Sequence, residues 1–221
     1  MTTRVVIVGA SGFGREALDV VEAMVAAGAD ARVVGVVDDA ISDVNRERLA
    51  NRGVTYLGTR EQWLSSSDNL TDHAFVLGVG DPAVRQRLAT ALESLGLLPF
   101  TAIHPSATLG SLTHPSDGAV ICAGATVSTN VRFGRSVHIN PNATIGHDAV
   151  LADFVSINPA AVVSGEVVVG TGTLVGAAAT ILQGLTVGEN AVIGAGSVVT
   201  KDVNSNITVK GIPARPSSGS N

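Results

Sequence analysis

The sequence predicts two domains of different construction: a parallel α/β sheet over residues 1–103, then an all-β solenoid of stacked short strands over residues 104–215. Three observations carry the prediction. Every sixth residue from Ile103 to Val199 is aliphatic or aromatic, interrupted once by Pro115, and a second small or apolar residue sits two places earlier in most hexads, as at Ala119, Ala143, Ala161 and Ala179. Residues 4–103 lack this period and alternate apolar runs with helix-spaced segments. Aromatic residues make up only 3% of a chain that is 45% hydrophobic, which suits a narrow core of Val, Ile and Ala better than a compact globule.

Residues 4–8 form an apolar strand that ends at Gly9-Ala10-Ser11-Gly12-Phe13-Gly14, and residues 15–27 follow with helical spacing at Ala17, Val20, Val21, Met24 and Val25. The next strand, 32–37, stops at Asp38-Asp39. Residues 54–57 are a short extended run, followed by a polar turn and a helix fragment at 61–64. Residues 75–79 make a strand that ends at Gly80-Asp81-Pro82, 83–95 a helix, and 100–103 lead into the repeat. The alternation predicts a parallel sheet. In the solenoid, hexad residue i and residue i−2 point inward and residue i−1 outward, because strand side chains alternate faces. Gly or Asn at i+1, as at Gly146, Asn158 and Gly170, marks the corners, where a left-handed backbone conformation is expected. Residues 216–221 read as a disordered tail.

A net charge of −5 without any basic block argues against nucleic acid or an anionic membrane as a partner. The single cysteine, Cys122, cannot form an intrachain disulfide, and the N-terminus lacks the charged, apolar and small-residue order of a secretion signal. Both favour a cytoplasmic protein. No run of about 18 apolar residues is present to span a membrane.

Six motifs occur together: Gly9-Ala-Ser-Gly12-Phe-Gly14, Val37-Asp38-Asp39, Ile103-His-Pro-Ser-Ala107, Ala143-Thr-Ile-Gly-His-Asp148, Val198-Val-Thr-Lys-Asp-Val203 and Gly211-Ile-Pro-Ala-Arg215. In combination they resemble the left-handed β-helix hexapeptide-repeat acyltransferases, and within them the sialic-acid O-acetyltransferase-like subfamily, which includes N-acetyltransferases of nucleotide-linked 4-amino sugars. The resemblance implies a Rossmann-like nucleotide-sugar-binding domain followed by a left-handed parallel β-helix with three hexads to each triangular coil. It also implies a homotrimer with acetyl-CoA bound between neighbouring β-helices, and direct transfer of acetyl to an amine or hydroxyl of a sugar without a metal.

His147 follows Ile145 by two and projects from a corner. Imidazole suits a general base that takes a proton from the attacking amine or hydroxyl, and Asp148 would orient the ring. A bare His-Asp pair is more often ordinary surface chemistry; this one aligns with the family's catalytic histidine and its acidic neighbour. Three hexads further on is Gly165, expected at the same corner of the next coil about 4.8 Å along the axis. By resemblance its N–H polarises the acetyl carbonyl. Asn140 matches an asparagine common near this site and is expected to contact substrate. His138, at i−1, is expected on a solvated face. Ala177 and Ala195 share a corner column with Pro159; small residues there leave a groove for the pantetheine arm. Ser156 stands where the family often has a second histidine that touches acetyl-CoA. Lys201, Lys210 and Arg215 are placed to meet its phosphates.

In the first domain, Gly9-x-x-Gly12-x-Gly14 opens a helix after a strand, which directs N–H groups at a phosphate. The resemblance makes Ser11, Gly12, Phe13, Asp38, Asp39 and Gly80 the nucleotide-sugar contacts. Phe13 replaces the histidine common in the family. Competing readings are a sialic-acid-type O-acetyltransferase, a scaffold, a dinucleotide-dependent enzyme, and a zinc-dependent carbonic-anhydrase-like β-helix protein. The last needs a close histidine pair, whereas eight residues separate His138 from His147.

Overall fold

The computed structural model describes residues 2–66, 70 and 72–217, and the chain divides into two compact units, Met1–Pro105 and Ser106–Asn221. The first runs β1 (Thr3–Val8), α1 (Gly12–Ala26), β2 (Ala31–Val37), α2 (Asp43–Asn51), α3 (Arg60–Ser66), β3 (His73–Leu77), α4 (Pro82–Glu93) and β4 (Leu98–Pro99). Its four strands form a parallel sheet in the order β2-β1-β3-β4. Val5, Val6 and Ile7 of the inner strand β1 are wholly buried, which explains the unbroken apolar run: a parallel strand covered on both faces has no polar side.

Helix α1 starts at Gly12, three residues before the helix-spaced segment, because Ser11 already holds the extended N-cap conformation. Helix α2 leaves almost no periodic signal since it buries only Leu49; its start is marked by Ser42, whose Oγ accepts the Asn45 N–H at 3.3 Å. Strand β3 begins and ends two residues before the 75–79 run. The chain leaves the sheet at Gly78, where a Cβ would lie 2.5 Å from Gly14 Cα. The run at 54–57 supplies only an isolated bridge between Val36 and Tyr56.

The second unit is a β-helix of two-residue strands stacked in three parallel sheets, one per face. Each strand pairs with the strand 18 residues on: His138 with Ser156, Thr144 with Val162, Val150 with Val168. Pro115 does not break the phase. Thr113 takes the inward position and its Oγ1 donates to Ser128 O at 2.8 Å, while His114 bridges Arg132. Inward residues such as Ile121, Ile139, Ile145, Ala143 and Ala161 are fully buried. The final coil is shorter, and Val192 pairs with Thr208.

Three expectations need correction. Left-handed backbone falls at i+3, not i+1: Asn130, Asn142, Asp148, Ala160, Glu166, Ala178 and Asn190 have φ between 53° and 62°. The glycines at i+1 have another cause. A Cβ at Gly170 would lie 2.6 Å from Glu189 N, and one at Gly176 would lie 2.6 Å from Ala195 N, so the next coil's backbone leaves room only for hydrogen. Position i−1 does point out of the coil, yet Val120, His138 and Ser156 on one face are buried. Finally, the chain remains ordered past residue 215: Arg215–Pro216 pairs antiparallel with Thr208–Lys210, and Ser217 N–H donates to Thr208 O at 2.9 Å. The rest of the expected tail, 218–221, lies outside the described residues.

The corner geometry makes a paired prediction for denaturant melts. Gly170→Ala, at i+1, lowers the unfolding free energy by about 1–3 kcal/mol, whereas Ala178→Gly, at a left-handed i+3 position, leaves it unchanged or raises it.

Candidate active site

Strand Thr144–Ile145 delivers the chain to a corner at Gly146, where a side chain would collide with Gly165 N of the next coil. His147 projects from this corner. Asp148 takes the left-handed conformation, φ 59°, which a short polar side chain tolerates. Its Oδ2 lies 2.7 Å from His147 Nδ1. A carboxylate only accepts, so the bond puts the proton on Nδ1 and leaves Nε2 as the basic nitrogen. Both side chains are nearly half exposed, so Nε2 is reachable. A Cβ on Gly165 would lie 2.6 Å from Nε2, so the imidazole rests against that glycine and any side chain there would displace it. The Gly165 N–H makes no hydrogen bond among the described residues.

The second Asp148 oxygen is also engaged: Asn130 Nδ2 donates to Oδ1 at 2.6 Å. The Asn130 bond foremost, and the His147 bond after it, hold the Asp148 carboxyl below the usual carboxylate range. Sequence reasoning missed Asn130, although counting one coil back from Asp148 leads to it.

In the first unit, a cavity of about 450 Å³ opens where β1 and β2 end, lined by Gly9, Asp38, Asp39, Arg60, Arg87 and Leu88 among others. Asp38 has a structural task. Its Oδ2 accepts the Ala10 N–H at 2.7 Å and its Oδ1 the Ala40 N–H at 2.8 Å, which ties the glycine segment to the end of β2. Asp39 accepts from Arg60 N at 2.8 Å and Nε at 2.6 Å. Burial opposes its ionisation, but those bonds and the Arg60 charge outweigh burial and lower its pKa. Gly9 and Gly14 serve close packing: Gly9 has φ 114° and a Cβ on it would lie 2.7 Å from Gly78 O, while one on Gly14 would collide with Gly9 O. Gly12 alone of the three has open space around it.

Ser11, Gly12 and Phe13 sit at the start of α1, and Gly80 lies beyond β3; none of the four is among the described residues lining the cavity. The Gly80 and Val79 carbonyls are held by Nη1 of Arg85, a fully buried residue whose pKa burial lowers to about 9. Arg60 and Arg87 do line the cavity, and single arginines outside any motif gave sequence reasoning nothing to find.

Two family models match the chain: the PglD N-terminal domain over residues 4–92 and the hexapeptide repeat of succinyl-transferase over 166–201. A GDP-perosamine N-acetyltransferase of Escherichia coli O157:H7 is 32% identical over 80 residues, a match spanning 36% of this chain and 36% of that relative's length. The acetyltransferase domain of PglB from Neisseria gonorrhoeae, solved in complex with acetyl coenzyme A, is 26% identical with a TM-score of 0.81, over 98% of this chain and 100% of that one. A mutant perosamine N-acetyltransferase from Caulobacter crescentus, in complex with CoA and GDP-perosamine, shares the fold at a TM-score of 0.84 and 24% identity, over 99% of each chain. The chain thus matches a PglD N-terminal domain followed by hexapeptide repeats, and is similar over nearly its whole length to these solved acetyltransferases. Its architecture is the Rossmann-like parallel sheet followed by a left-handed parallel β-helix.

The rest of the expected site divides into open and closed positions. Pro159, Ala177 and Ala195 stack on one corner, coupled by Ala178 N–H to Pro159 O at 2.9 Å and Gly196 N–H to Ala177 O at 2.8 Å, with their small side chains along the edge. Lys201 and Arg215 line a separate cavity of about 260 Å³; Lys210 does not, among the described residues. Ser156 is 1% exposed and in register with His138, which is buried to the same degree rather than solvated. Asn140 is 5% exposed, and its amide nitrogen donates to Ile157 O at 3.0 Å, so it bonds one coil to the next. Among the described residues no group of three His, Cys, Asp or Glu side chains could hold a metal ion, and no helix is long and apolar enough to cross a membrane.

A carbon-detected NMR titration is expected to find the Asp148 carboxyl still ionised below the ordinary aspartate midpoint of about 3.9. A midpoint at or above that value would contradict the two hydrogen bonds.

Proposed function

We propose that this chain transfers the acetyl group of acetyl-CoA to the amine of a nucleotide-linked 4-amino sugar, as a cytoplasmic homotrimer that binds acetyl-CoA between neighbouring β-helices. One observation carries the reading: an imidazole held by a carboxylate at 2.7 Å presents its free Nε2 beside the Gly165 backbone. The arrangement supplies a base and a hydrogen-bond donor on one rigid corner. As the amine nitrogen bonds to the thioester carbonyl carbon, His147 Nε2 takes the amine proton. The Gly165 N–H donates to the oxyanion, and ionised Asp148 stabilises the imidazolium. The tetrahedral intermediate then collapses, the C–S bond breaks, and the proton on His147 passes to the departing sulfur to give the CoA thiol.

The Ala177–Ala195 corner lines the path of the pantetheine arm, and Lys201 and Arg215 meet the CoA phosphates. In the first unit, the 450 Å³ cavity receives the nucleotide. Arg87 has no carboxylate partner among the described residues and is the free cation for a diphosphate, whereas Arg60 is shared with Asp39. Ser11, Gly12, Phe13 and Gly80 extend that site along the start of α1 and the end of β3. Relatives of this build have been solved with acetyl-CoA, CoA and GDP-perosamine.

In a thiol-release assay against UDP-, GDP- and dTDP-amino sugars, His147→Ala is expected to lose about 10²- to 10⁴-fold in kcat with an unchanged melting temperature. Full turnover in that variant would sink the base assignment. Arg87→Ala is expected to weaken nucleotide-sugar binding about tenfold while thermal stabilisation by acetyl-CoA stays as in the parent chain. Equal loss of both would point to a fold defect.

A further inference from the structure

We infer that Asn130 is a positioning residue of the transfer reaction: from the preceding coil it fixes the Asp148 carboxylate in the orientation that holds His147 ready to act as base. This rests on the His147 reading above. The contacts form a relay of three side chains, Asn130 Nδ2–H to Asp148 Oδ1 at 2.6 Å and Asp148 Oδ2 to His147 Nδ1 at 2.7 Å. Each carboxylate oxygen has its own partner, so rotation of the carboxylate breaks both bonds. Asp148 is 44% exposed and gains little restraint from packing. Without the Asn130 amide, its second oxygen would turn to water and the carboxylate would no longer be anchored in the plane that meets the imidazole.

The placement follows from the coil. Asn130 and Asp148 occupy the same i+3 corner of successive coils, with φ 57° and 59°, so their side chains leave in the same direction about one strand spacing apart. An amide nitrogen donates, so the bond favours the ionised carboxylate, in keeping with the lowered pKa of Asp148. An ionised Asp148 keeps the proton on Nδ1 and steadies the imidazolium as Nε2 gains its own. Tolerance of a left-handed backbone does not by itself require asparagine here, since Leu112, Ala160, Glu166 and Ala178 hold the equivalent corners.

The test compares steady-state kinetics of Asn130→Gly, Asn130→Asp, Asp148→Asn and the Asn130→Gly/Asp148→Asn double variant, with His147→Ala alongside. Glycine accepts the backbone angle and removes only the amide, so the melting temperature should hold. Asn130→Gly is expected to lower kcat about tenfold with the acetyl-CoA KM unchanged. Asn130→Asp should lose more, because it sets one acceptor against another; it retains tolerance of the left-handed angle and carries the test should the glycine variant melt early. In the Asp148→Asn background, adding Asn130→Gly should cost less than about twofold. A parent-like kcat in both single Asn130 variants, or an undiminished loss in the Asp148→Asn background, overturns the inference while an inactive His147→Ala leaves the base assignment standing. Full activity of His147→Ala overturns both.

Discussion

Each coil of the β-helix is hydrogen-bonded to the coil 18 residues on, and that tight stacking decides what the corners can hold. At i+1 the neighbouring backbone comes so close that Gly170 and Gly176 have no room for a Cβ. At i+3 the chain must turn through the left-handed region, where Asn and Asp are cheap and glycine cheaper. Between these two demands lies position i+2, which is free to project. His147 uses it, and the glycine at i+2 of the next coil, Gly165, gives the ring a flat surface to lie against. The dyad therefore owes its geometry to regular secondary structure rather than to an inserted loop, and that is the kind of support that keeps reacting groups within fractions of an ångström.

The first unit solves a different problem. Its glycines and Asp38 mostly hold loops together: Gly9, Gly14 and Gly78 bring three backbone segments into contact, and Asp38 ties the first of them to the end of β2 with charge-assisted bonds. The cavity beside them is then shaped by a fixed backbone, while its charge comes from Arg60 and Arg87 on the surrounding helices. Backbone rigidity and side-chain chemistry are thus supplied by separate parts of the chain. Replacing Arg87 would touch none of the bonds that hold the loops, whereas Arg60 also anchors Asp39 after β2.

Much of the β-helix was legible in the sequence because its period is strict. The inward residues, the 18-residue pairing and the stacking of Gly165 on His147 all follow from counting. Counting failed where the cause was three-dimensional. The distinction between i+1 and i+3 depends on the distance to the next coil, and the burial of His138 and Ser156 depends on what covers one face, not on which way a strand residue points. Helix α2 escaped because a segment that buries only Leu49 has no stripe to read. Arg60 and Asn130 escaped because each meets its partner across 18 or more residues, which leaves no local signature, and Arg87 because a single arginine lining a cavity belongs to no motif.

The shortened last coil bears on solubility. A parallel stack of strands ends in a row of unpaired backbone donors and acceptors, and such a rim invites another chain to continue the ladder. Here Thr208–Lys210 is covered on that rim by Arg215–Pro216, running the opposite way, with Ser217 adding a further bond. The covering segment ends in a proline, which has no N–H to offer, beside an arginine that resists close approach by a like-charged copy. On that face the ladder ends in a covered strand rather than an open one, so another chain cannot extend it there without first displacing Arg215–Pro216.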